Sequence, residues 1–159
     1  MTIRIICIGK LKESFYTAAS DEFRKRLSRY CELEIVELAD EKAAERLSEA
    51  QCEQVKQKEG KRILERVKEG EFLIATAIDG ERISSEKFAR LIESKMNAGQ
   101  SRIAVAIGGS LGLSSEVLER ASYKLSFSSM TFNHMLFRIM LLEQLYRAFR
   151  IINNEPYHK

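Results

Sequence analysis

A chain of 159 residues with a formal net charge of +3, 45% hydrophobic and 31% charged residues, eight glycines and one proline has the composition of one compact fold, which excludes collagen-like, low-complexity and disordered classes. No apolar run approaches the roughly 18 residues of a membrane span, and the N-terminus lacks a basic start, a long apolar stretch and a cleavage site, so a soluble cytoplasmic protein with no membrane partner is expected. Three cysteines without CxxC spacing and only two histidines speak against a zinc or disulfide framework, and no metal is expected.

Ile3 to Ile8 is β-branched and stops at Gly9, which predicts a buried strand. Phe15, Ala19, Phe23, Leu27 and Tyr30 then recur at helical spacing. Leu33 to Leu38 predicts a second strand and Ala43 to Lys68 a long charged helix, with Gly60 as a candidate break. Phe72 to Ile78 predicts a third strand closed by an Asp79-Gly80 turn. Ser84 caps the next helix, stapled by Ile83 and Phe88, and Gly99 ends it. Ile103 to Ile107 is an uninterrupted apolar strand that runs into Gly108-Gly109-Ser110-Leu111-Gly112. Ser114 caps a short helix stapled by Leu113 and Leu118; Tyr123, Leu125 and Phe127 alternate as a fifth strand; Ser128 to His134 is loop, and Met135 to Ile152 is the last helix. Alternating strands and helices predict a single three-layer α/β domain over residues 1–159 with a mostly parallel sheet.

Ligands of open α/β sheets collect at the carboxyl ends of strands, and several exits here are unusual. The glycine loop after Ile107 matches neither GxGxxG nor a Walker loop, whose lysine is missing; it reads either as a phosphate cradle or as a tight strand-to-helix turn. The segment Phe127 to His134 combines hydroxyls with large apolar side chains and reads either as a pocket wall or as core filler under the last helix. That helix is apolar around most of its circumference. Glu143, Gln144, Arg147 and Arg150 share one sector of about 120°, while Arg138 falls among Leu136, Phe137, Ile139, Met140 and Leu142. One small domain covers one side of such a helix, so a subunit interface that includes Leu142 is expected to cover the other. Arg138 then needs an anion, either a carboxylate across the dimer or a substrate group. The tail, Glu155 to Lys159, is either frayed or, with Tyr157, His158 and Lys159 in succession, turned toward nucleic acid. The net charge is +3 over residues 1–32, −3 over 33–101 and +3 over 102–159, which suits a polyanionic partner if the fold joins the two ends.

Six segments, Gly9 to Lys12, Val55 to Gly60, Ile107 to Leu113, Leu125 to His134, Glu143 to Ala148 and Tyr157 to Lys159, occur in one register in which the chain resembles the RlmH family, SPOUT-class methyltransferases acting on large-subunit ribosomal RNA. The resemblance implies an α/β fold with a C-terminal trefoil knot, the knotted cofactor-binding part spanning about 100–155, and a homodimer that binds S-adenosyl-L-methionine and methylates N3 of a pseudouridine in the 23S rRNA of the ribosome. It implies cofactor contacts at Thr76, Gly108, Phe127, Ser128, Ser129, Met130, Thr131 and Phe132. Mechanistically it makes His158 the candidate base or positioner, Tyr157 a stacking ring, and Arg138, Arg147 and Lys159 candidates for stabilising phosphate or a developing anion. Asn133 stands where the family usually has Pro, and Thr76 where Leu is common, which predicts backbone rather than side-chain contacts at position 76. Two rival readings are a non-catalytic RNA-binding protein and a nucleotide-phosphate enzyme built on the glycine loop.

Overall fold

The structure is a computed structural model that describes residues 1–42 and 46–157. Five strands, β1 (Thr2–Ile8), β2 (Glu32–Leu38), β3 (Phe72–Arg82), β4 (Arg102–Ile107) and β5 (Tyr123–Ser126), form one all-parallel sheet in the order β2-β1-β4-β3-β5. Strand β4 lies between β1 and β3, where both faces are covered, and this explains its unbroken Ile-Ala-Val-Ala-Ile run.

The pleat sends alternate side chains to two separate cores. Ile3, Ile5, Cys7, Ile74, Ile103 and Val105 face α1 (Ser14–Leu27), α3 (Ser85–Asn97) and α5 (His134–Ile152). Ile6, Ile8, Leu73, Ala75, Ala104 and Ala106 face α2 (Glu49–Leu64) and α4 (Ser115–Arg120). The expected three-layer α/β domain with a parallel sheet is the architecture observed. Cys7 and Cys31 are buried free thiols, both pushed up to about 11 by burial.

The caps fall where the sequence places them: Ser84 accepts from the Lys87 N–H and Ser114 from the Val117 N–H. Three boundaries differ. Helix α2 starts at Glu49, because Ser48 and Gln51 form a reciprocal capping box; the expected start at Ala43 lies outside the described residues. The helix also runs through Gly60 unbroken, and a Cβ there would sit 2.2 Å from the Ser114 hydroxyl. This glycine lets α2 and α4 approach and does not end a helix. Nor does Asp79-Gly80 close β3: residues 77–80 bulge out of the ladder between Thr76 and Glu81, after which β3 pairs with β5 again. Finally, α5 takes its covering from α1, α3 and the sheet, and Leu142, expected at a subunit interface, is wholly buried in its own chain.

No helix among the described residues is long and apolar enough to cross a membrane.

Candidate active site

Three segments at the carboxyl edge of β3, β4 and β5 enclose a cleft of about 420 Å³: the β3 bulge, the glycine loop, and the loop between β5 and α5. Thr76, Gly108, Phe127, Ser128, Met130, Thr131 and Phe132 line it, so the structure brings together seven of the eight residues expected to contact a cofactor. Ser129 lies in the same loop but does not line the cleft. The Thr76 hydroxyl donates to the Ala106 carbonyl at 2.9 Å, which ties it to β4 and leaves backbone as what position 76 offers.

The glycine loop is held by its own folding. The Gly112 N–H donates to the Gly109 carbonyl at 3.1 Å, and a Cβ on Gly108 would lie 2.5 Å from the Gly112 carbonyl carbon. Position 108 is therefore restricted by the turn itself, before any ligand is considered. Beneath the loop, Glu59 of α2 is buried; one carboxylate oxygen accepts from the Glu41 N–H at 3.0 Å and the other has no partner among the described residues. A Cβ on Gly109 would meet that second oxygen at 2.8 Å. Burial pushes the Glu59 carboxyl above its ordinary range.

The opposite wall is organised by short-range hydroxyl bonds. The Ser126 hydroxyl donates to the Ser128 carbonyl at 3.1 Å, and the Met130 N–H donates to the Ser128 hydroxyl at 3.0 Å. Asn133 then caps α5 by accepting from the Met135 N–H at 2.8 Å, so it fixes the end of the loop where a proline is more usual in the resembling family. Among the described residues, Asp79 and His134 are the titratable side chains lining the cleft, and no lysine or arginine does so. Burial, then the charge of Arg138, holds the His134 imidazole below its usual range.

Arg138 is 1% exposed and lies outside the cleft lining. The carboxylate it pairs with lies in its own chain: Glu37 at the end of β2 pairs with it at 2.5 Å, and the Gly9 carbonyl accepts from it at 2.8 Å. Gly9 in turn backs onto the ring of His134. Together they form a wall at the exit of β1.

The tail folds back on the helices. The Tyr157 hydroxyl donates to Glu143 at 3.1 Å, its ring meets Tyr146 edge-on at 4.9 Å, and the Arg147 guanidinium lies 4.8 Å from its centre. Arg147 also pairs with Glu143 at 2.6 Å, and Arg150 pairs with Glu155 at 2.7 Å. The Tyr157 ring is partly buried against the core, and burial and Glu143 raise its hydroxyl. Neither Arg147 nor Tyr157 lines the cleft of its own chain, and His158 and Lys159 lie outside the described residues. Sequence reasoning missed His134, Asp79 and Glu59. His134 carried a signal, adjoining a loop already read as a pocket wall, whereas Asp79 was absorbed into a turn and Glu59 into a charged helix.

A family model described as predicted SPOUT methyltransferase matches residues 1–158. The chain is 57% identical over 159 residues to a ribosomal RNA large subunit methyltransferase H 1 of Clostridium perfringens (strain SM101 / Type A) and 55% identical to a ribosomal RNA large subunit methyltransferase H of Clostridioides difficile (strain 630), with 100% of both chains covered in each case. A solved structure of a probable methyltransferase from Bordetella pertussis Tohama I aligns with a TM-score of 0.49 at 13% identity, over 92% of this chain and 95% of that one.

Proposed function

Because the chain belongs to the SPOUT methyltransferase family, we propose that it is a cytoplasmic enzyme that transfers a methyl group from S-adenosyl-L-methionine to N3 of a pseudouridine in 23S rRNA of the large ribosomal subunit. The observation that carries this reading is the lining of the cleft: glycines, hydroxyls, apolar side chains, one carboxylate and one imidazole, with no lysine or arginine among the described residues. A polyphosphate ligand would find nothing there to neutralise it, which disfavours the nucleotide-phosphate reading. A ligand with a sulfonium cation and a neutral nucleoside fits, and about 420 Å³ is within the range of small-ligand sites.

When bound, this cofactor supplies an electrophilic methyl carbon for in-line displacement by the acceptor nitrogen. The chain's own residues hold, align and manage a proton. The backbone of Thr76 and of the 108–112 loop forms one wall, and Phe127 to Phe132 form the other. His158 takes or orients the N3 proton, an acidic imide proton that needs only a modest base. Lys159 and Arg147 stabilise the resulting anion or a neighbouring phosphate, and Tyr157 anchors the tail against Tyr146 and Glu143. Arg138 is a positioning residue that fixes Gly9 and, through it, the His134 side of the cleft.

Since Glu155 and Tyr157 pack against α5 rather than in their own chain's cleft, the proposal includes a homodimer in which a second copy's tail completes each site, and the trefoil threading implied by the resemblance. The test incubates the protein with methyl-labelled S-adenosyl-L-methionine and large subunits lacking the modification, then maps the labelled nucleotide. Label on one pseudouridine N3 is expected. Cofactor binding without transfer to RNA, or RNA binding without cofactor binding, would overturn the reading, the latter in favour of a non-catalytic RNA-binding protein.

A further inference from the structure

A second cavity, of about 380 Å³, opens at the carboxyl ends of β1 and β2, on the other side of Arg138 from the cofactor cleft. Thr17, Ser20, Asp21 and Arg24 enter it from one stripe of α1, at the i, i+3, i+4 and i+7 spacing that places residues on one helix face. Lys10 enters from the exit of β1, and Arg138 and Glu37 form its inner end.

The charges are not balanced within the protein. Glu37 is engaged by Arg138 and by the Leu11 N–H. The Lys10 ammonium and the Arg24 guanidinium have no ion-pair or hydrogen-bond partner among the described residues, and Asp21 alone opposes them. One buried group beside the cavity is also unsatisfied, the Nε–H of Arg138, and Ser20, 5% exposed, lines the same cavity. Buried donors without partners are costly and uncommon. The unpaired cations of Lys10 and Arg24, the hydroxyl residues Thr17 and Ser20 and the Arg138 side chain line one cavity and form a site for a tetrahedral oxyanion.

We propose that the Lys10–Arg24–Arg138 cavity is a phosphodiester subsite that seats a backbone phosphate of the RNA while the target nucleotide reaches the neighbouring cleft. The inference rests on the RNA substrate of the proposed function and adds a location for one of its contacts. The wall between the two cavities is shared: Arg138 lines this one and holds Gly9, whose other side meets His134 in the cleft. A phosphate seated here is thereby registered against the cofactor through a few rigid contacts.

The test measures binding of large-subunit rRNA across salt concentrations for wild type, Lys10→Gln/Arg24→Gln and Asp21→Asn, alongside S-adenosyl-L-methionine affinity. The first two residues are exposed enough for the double variant to fold, and unchanged cofactor affinity verifies that it has. Expected are a loss of about tenfold in RNA affinity, a salt slope shallower by about one, and an unchanged cofactor affinity. Asp21→Asn should bind RNA more tightly, a gain that a merely structural role would not produce. Wild-type RNA affinity and slope in the double variant overturn the subsite. So does a calorimetric signal for inorganic phosphate that this variant loses while its RNA slope stays unchanged, since the cavity is then a free-anion site. Failure of the wild type to methylate any rRNA, with the affinity loss intact, counts instead against the proposed reaction.

Discussion

The carboxyl edge of the sheet is divided into two halves of similar volume and opposite chemistry. At β3, β4 and β5 the cleft is walled by backbone, glycine, hydroxyl and apolar groups and has no lysine or arginine among the described residues. At β1 and β2 the cavity holds three cations and two carboxylates. The contrast begins in the residues that follow the strands: Gly108 and Gly109 after β4 expose peptide groups, whereas Lys10 follows Gly9 after β1 and Glu37 sits near the end of β2. A cationic cofactor would be repelled by the second half, and an RNA phosphate would find no counter-charge in the first. On the proposed reading, the arrangement would separate two ligands of opposite charge across one shared wall.

The largest expected effect comes from breaking the neutral half. A Cβ at position 108 meets the backbone of Gly112 at 2.5–2.6 Å, and backbone cannot swing aside as a flexible side chain does. Gly108→Val should therefore abolish measurable S-adenosyl-L-methionine binding while leaving the rest of the fold cooperative. Gly108→Ala should fail almost as badly, because the first carbon already collides. Calorimetry on both folded variants checks this; wild-type affinity in the alanine variant would show that the turn tolerates the carbon and that the loop is not set as described.

The next effect separates binding from transfer. Tyr157 does not line the cofactor cleft, so on deleting Tyr157 to Lys159 cofactor affinity should persist while single-turnover methylation falls by at least about a hundredfold, the lower range for a positioned acid–base group. His158→Ala should reproduce much of that loss and change the pH profile. Wild-type rates in the truncated protein would remove the tail from the reaction.

A comparable loss should follow from separating the copies. An open apolar groove of about 550 Å³, with Ile83, Phe127, Ile139 and Met140 among its residues, lies beside α5 and is the surface that the proposed dimer would cover. Met140→Asp should sediment as a monomer and match the truncated protein in rate, since its tail then has no neighbouring cleft to complete. Wild-type protein that is monomeric at micromolar concentration would break the argument.

The neutral half was more legible in the sequence than the charged one, for a physical reason. Glycine loops, caps and hydroxyl-rich loops act over a few residues, so the exits at Gly108 and Phe127, with the caps at Ser84 and Ser114, could be read in place. Arg138 was recognisable as a buried cation, but its partner Glu37 lies 101 residues away, and no local pattern encodes such a pair. The β3 bulge was hidden for a related reason. Asp79-Gly80 has the chemistry of a turn, yet Gly80 serves a backbone contact with Leu125 on another strand, where a Cβ would lie 2.7 Å from the main chain. The packing of Tyr157 on Tyr146 likewise depends on the chain turning back after α5, at Asn154 with φ of 52°.

The smallest expected effect tests whether the neutral half stays neutral below its floor. Glu59 lies under Gly109, with one carboxylate oxygen bonded to the Glu41 N–H and the other unpartnered. Burial raises its carboxyl first, and the negative charge of Asp40 adds to the effect, against the opposing influence of the Glu41 N–H and Arg62. A folded-state value above the unfolded one means that the native protein holds the proton more tightly. The associated stability is present below the unfolded carboxylate range and is lost as pH rises through the raised value. Glu59→Gln keeps the acceptor for the Glu41 N–H and cannot ionise, so this fall with pH should vanish. Above that window the variant should be the more stable protein by about 1 kcal/mol, a shift of a few degrees in melting temperature for a chain of this length. Thermal unfolding of both proteins across the acid range decides the matter: parallel curves would mean that Glu59 is charged and satisfied in the native state, and that the floor of the cofactor half contains a fixed negative charge.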